Sequence, residues 1–120
     1  MSVIDVKMQA IYQASHVELP ARASSFAGHA GDITAAVEPV VAEVALAGNH
    51  PIGADLADVA VEVFAHLREL VRTFNDCAVG LDRMADDLVA VDGEAGAWFA
   101  VHQEYVGDVP VASEPAAPEV

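Results

Sequence analysis

Five histidines and one cysteine are the side chains of this 120-residue chain best suited to metal or nucleophilic chemistry. They are His16, His29, His50, His66, His102 and Cys77. Structural metal sites pair their ligands a few residues apart, as in Cys-x2-Cys or His-x3-His. No two of these six stand that close. Asp86, Asp87, Glu94 and Glu104 can be drawn as an acid cluster, but on a helix they read as a charged, solvated face. A Gly-rich phosphate loop after a strand, a nucleophile elbow and strand-period alternation are all missing from the sequence. No catalytic residue, metal or cofactor is therefore expected, and the chain is not expected to be an enzyme. His16 and His102 fall near what would be the open end of a hairpin, where a pair would sense pH or hold a metal. Two partly exposed terminal histidines are the simpler reading.

Charge narrows the partners. Nineteen acidic residues stand against five basic ones, for a net charge of -14, and Lys7 is the one lysine. Nucleic-acid binding needs clustered Lys and Arg, so it is excluded. Anionic membrane surfaces repel such a chain. A lone cysteine makes no internal disulfide, and its place on an apolar face predicts a buried thiol. Residues 1 to 12 lack the basic start and apolar run of a signal peptide. The most apolar stretch, "AAVEPVVAEVALAG", contains Glu38, Pro39 and Glu43 and is too short to span a bilayer.

Elements with long periodicity must position whatever the chain presents. Leu56, Val63, Leu70, Cys77, Met84, Val91 and Trp98 recur every seven residues. Ala60, Leu67, Phe74, Leu81, Leu88 and Ala95 interleave with them. This alternating stripe predicts one long helix with a coiled-coil-like seam over about 55–106, continuous through Gly80 and Gly93. Glu62, Arg68, Glu69, Arg72, Asp76, Asp82 and Arg83 lie off the seam, on a solvated face. In the first half Tyr12, Leu19, Phe26, Ile33, Val40 and Ala47 repeat by seven, with Ala23, Ala30, Val37 and Val44 between. That predicts a first helix over about 3–47, kinked or segmented at Pro20 and Pro39. Gly48, Pro51 and Gly53 belong to a turn over about 48–54.

The expected fold is all-α: an antiparallel helix-turn-helix hairpin forming one domain, 1–106. Each helix would be about 60 to 75 Å long. A hairpin buries only the strip between its helices, and Val59, Phe64, Val71, Val79 and Phe99 widen the second seam. The remaining apolar surface calls for a second hairpin, a copy or a relative, and a four-helix bundle. Residues 107–120, "GDVPVASEPAAPEV", carry three prolines with small and acidic residues and read as a disordered, solvated tail.

Three stretches resemble the small helical-hairpin proteins of actinobacterial type VII (ESX) secretion, in the EspC-like branch of the WXG superfamily. "VIDVKMQAIYQAS" is similar to the start of that family's first helix, and "GNHPIGADLADVAVEVF" to its hairpin turn. "AVGLDRMADDLVAVDGEAGAWF" is similar to the helix end that carries the family's secretion signal, YxxxD/E. In the carry-over Asp92 matches the acid, and Ala95 and Phe99 match the trailing small and apolar positions. Leu88 stands where the tyrosine belongs. The superfamily's inter-helix Trp-x-Gly turn is absent, because Trp98 lies at the far end. The resemblance covers about residues 3 to 106. It implies a non-enzymatic secreted substrate, or the partner of one, offering its second helix end to a secretion ATPase. It also implies a secreted or cell-surface location by the type VII route. The alternative is a cytoplasmic helical adaptor or scaffold unrelated to secretion.

Overall fold

A capping box starts the first helix. The Ser2 hydroxyl accepts from the Asp5 amide at 3.1 Å, and the Asp5 carboxylate accepts from the Ser2 amide at 3.1 Å. Two donors orphaned by the helix start are thereby satisfied. The computed structural model of the chain describes residues 2–48 and 51–116. In it α1 (Val3–Gln13) passes without a break through a π-helical turn, Ala14–Glu18, into α2 (Leu19–Leu46). Then come α3 (Pro51–Val91), α4 (Gly93–Ala100) and a short 3-10 turn, Gln103–Tyr105. Every regular element among the described residues is helical, so the fold is all-α.

The π turn answers Pro20. A proline inside an α-helix cannot donate, and its ring crowds the carbonyl four residues back. A wider turn just before it relieves that crowding. The extra residue also moves the inward face by one position. Met8, Tyr12 and Ser15 are buried before the shift, and Pro20, Ala23 and Ala30 after it. Pro39 stays inside α2.

α3 returns along α1 and α2 in the opposite direction. Gly53 faces Val44, Phe74 faces Phe26, Asp82 faces His16 and Asp86 faces Tyr12. Gly48 takes φ 117°, in the left-handed region that glycine enters without a Cβ penalty. Asn49 and His50 lie outside the described residues. Pro51 and Gly53 prove to be the first turn of α3 rather than part of the loop. Proline is well placed there, because a first-turn N–H has no partner anyway. A Cβ on Gly53 would stand 2.9 Å from Val44 Cγ1, so the glycine sets how closely the helices approach at this end.

Four further expectations change. The second helix does not continue to residue 106. It ends at Val91, and α4 folds back on its end, with Gly96 close under the Val89 carbonyl. The break has a local cause: Asp92 is extended (φ -112°, ψ 121°) and caps α4. The seam is rotated as well. α3 buries Ala60, Phe64, Val71, Ala78 and Ala85, with Leu67, Phe74 and Leu81 half-buried beside them. Small alanines let the helices approach closely and turn α3 by roughly 50° from the expected stripe, at about 100° per residue. Cys77, expected inside, is exposed. Finally, residues 107–116 are not a free tail but lie along α3, Asn75 holding Ala112 by two hydrogen bonds. Residues 117–120 lie outside the described residues.

The result is a rod of 70 × 20 × 17 Å with a radius of gyration of 20.7 Å. A compact chain of this length has a radius near 14 Å. The main core therefore sits at one end, where α1, α3 and α4 meet around Met8, Tyr12, Ala85, Ala95 and Trp98.

Candidate functional site

That end is built around Tyr12. Its ring stacks at 5.6 Å on Trp98 and 5.3 Å on Tyr105, with Phe99 tilted at 5.4 Å. Tyr12 and His16 are one turn apart on the first helix, and Asp82 and Asp86 one turn apart on α3. They pair as two rungs: the Tyr12 hydroxyl donates to Asp86 at 2.7 Å, and His16 Nε2 donates to Asp82 at 2.7 Å. The carboxylate can only accept, which places the proton on Nε2. Burial first, then the hydrogen bond to Asp86 and the charges of Asp86 and Asp82, holds the Tyr12 phenol well above its ordinary value of 10.0. His102 stacks on Trp98 at 4.0 Å and donates from Nδ1 to the Trp98 carbonyl at 2.7 Å. Tyr105 donates to Gln13 at 3.1 Å. The two seam histidines are thus partly exposed, as expected, and each has partners of its own. Among the described residues no group of three or more His, Cys, Asp or Glu is arranged to hold a metal ion.

The four residues of the tag-like stretch go to three different places. Leu88 is exposed on the last turn of α3. Asp92 accepts from the Glu94 amide at 2.9 Å and the Ala95 amide at 3.0 Å, so its carboxylate is engaged in capping α4. Ala95 is buried, and Phe99 is half-buried against Tyr12. A cleft beside them is lined by Asp5, Glu94, Trp98 and His102. Asp5 is engaged in its capping box, and Glu94 occupies the first turn of α4, where an acid complements the helix dipole.

The expected packing residues divide. Phe26, Ile33, Leu56, Leu67, Phe74 and Leu81 are half-buried, and Trp98 is buried. Val63 and Leu70 are each 38 % exposed, Met84 48 %, Leu88 38 % and Val91 83 %. With the exposed Cys77 they form an uncharged, apolar line down the outer edge of α3. No helix among the described residues is long and apolar enough to cross a membrane.

Sequence reasoning missed the other flank. Arg68 and Arg72, one turn apart, both reach Glu114. The hydrogen bond from Arg72 holds the Glu114 carboxyl below its ordinary value of 4.5. The available signal was the scarcity of cations: only five basic residues, two of them at i, i+4. In comparisons with protein-family models, with curated proteins and with solved structures, the chain matches none.

Proposed function

We propose that this chain is a non-enzymatic helical interaction protein associated with type VII (ESX) secretion, either a substrate or the pairing partner of one. It acts by laying the outer edge of α3 against a second helical pair, a copy or a related chain, to complete a four-helix bundle. One observation carries the pairing: Val63, Leu70, Cys77, Met84 and Val91 repeat every seven residues and remain exposed on a 70 Å rod. Such a rod is long enough to bury the ~800 Å² per partner of an ordinary stable interface. Withdrawing each exposed side chain from water contributes a fraction of the ~1.5–3 kcal/mol that full burial would.

The link to secretion rests on the resemblance of residues 78–99 and on Asp92 at the signal's acidic position. The cytoplasmic adaptor is favoured instead by the capping role of Asp92, which gives that carboxylate a structural reason to be there. One pair of substitutions separates the two. Asp92→Asn keeps a capping oxygen and removes the charge, whereas Asp92→Ala removes both. If the charge is read for export, both variants stay in the cell lysate while the wild type reaches the culture filtrate. Export of Asp92→Asn at the wild-type level contradicts a charge-reading tag.

A further inference from the structure

After α4 the chain turns at Gly107, with φ 100°, and runs back along α3 without helical structure. Three contacts hold it. Val109 is buried beside Val79, Asp82 and Arg83. Asn75 donates to the Ala112 carbonyl at 2.8 Å and accepts from the Ala112 amide at 3.0 Å. Arg72 Nη2 and Arg68 Nε donate to Glu114 at 3.1 and 3.3 Å. The pair of bonds to Asn75 reads backbone and not a side chain, so any residue but proline fits at that position. What the flank selects is an apolar residue, a free peptide unit three positions on, and a carboxylate five positions on.

We infer that this flank of α3 is a groove for an extended acidic peptide, held here by the chain's own residues 108–114, and that an acidic segment of a partner chain is its other occupant. Charge complementarity identifies that occupant. In a chain with net charge -14, Arg68 and Arg72 are two of only five basic side chains, and both aim at one carboxylate. An acidic peptide is repelled by most of this surface and attracted at that notch. The outermost contact, the Arg68 and Arg72 bonds to Glu114, is solvent-exposed, while Val109 and the Asn75 bonds are buried or half-buried, so the strap opens most readily from its Glu114 end. The tether gives the strap a millimolar-range effective concentration, which an incoming segment must overcome. The groove faces away from the outer edge of α3: Arg68, Asn75 and Asp82 repeat on one flank, Val63, Leu70 and Met84 on the other. Occupancy of one leaves the other free.

The test uses the full chain and a fluorescent peptide of residues 107–116, read by anisotropy. Val109→Asp, outside every helix, releases the strap and opens the groove. The peptide is expected to bind Val109→Asp at least about tenfold more tightly than wild type. Adding Asn75→Ala, or placing Glu114→Lys in the peptide, is expected to remove that gain. Full-chain Glu114→Lys provides a second route to the open groove and is expected to bind the unmodified peptide more weakly than Val109→Asp, because Val109 and the Asn75 bonds still hold the strap, yet more tightly than wild type. Equal binding to wild type and both opened variants overturns the inference, as does binding indifferent to Asn75→Ala and to the charge of the peptide. If Val109→Asp instead halves the mass of a wild-type dimer, the occupant is the strap of a second copy, and assignment to a partner segment is overturned.

Discussion

Asp92 shows how one side chain can fit a resemblance and a structural need together. It stands where the resemblance puts the acid of a secretion signal, and it caps α4 through two backbone amides. Capping predicts that Asp92→Ala lowers stability by about 1 kcal/mol, while Asp92→Asn stays within a few tenths, as urea melts would show. Tyr12 makes the second prediction. Its phenol is held above the ordinary value, so the folded state favours the protonated form. That contribution is fully present below pH 10.0, the unfolded value, and is lost as pH rises beyond it. Stability is expected to fall there by up to ~1.4 kcal/mol per pH unit. Tyr12→Phe costs about 1 kcal/mol at neutral pH, for the lost hydrogen bond, and flattens the alkaline fall. An alkaline profile unchanged by Tyr12→Phe would place the titrating group elsewhere.

At the scale of elements, much was legible because heptad spacing survives even where the details do not. The two long helical halves follow from it, while the disturbance at Pro20 follows from the proline itself. The contact face did not. Counting apolar residues assigns the large ones inward, yet close approach favours Ala60, Ala78 and Ala85 at the contact and leaves Leu70 and Met84 outside. The break at Asp92 left a signal, an acid before glycine with Glu94 following, but a matching phase masked it. The strap was illegible because its partners are single polar side chains far away in sequence, Asn75 among them. Helical glycines test the packing. Gly80 has open space around its Cβ position, so Gly80→Ala is expected to stabilise by roughly 1 kcal/mol. Gly53→Ala gains the same helix propensity but presses on Val44 Cγ1, and a stiff valine yields poorly. Its thermal melt is expected to show no gain or a loss.

The whole molecule is a thin rod with one well-packed end and an apolar outer edge, and its shape argues for company. A second helical pair would cover Val63, Leu70, Cys77 and Met84 together and leave the acidic faces in water. Repulsion between acidic chains weakens such pairing at low salt, so association is expected to strengthen as ionic strength rises. Cys77 reports on the same edge, because a thiol reagent reaches it freely in a single chain and slowly in a pair. Size-exclusion with light scattering on the full chain, at moderate ionic strength, tests the central claim most directly. The account predicts a mass clearly above the 12.5 kDa of one chain, with protected Cys77. Leu70→Glu and Met84→Glu are expected to return both to the single-chain values without loss of helix. A wild-type mass of 12.5 kDa at every concentration, alone and with a co-expressed related chain, would contradict it.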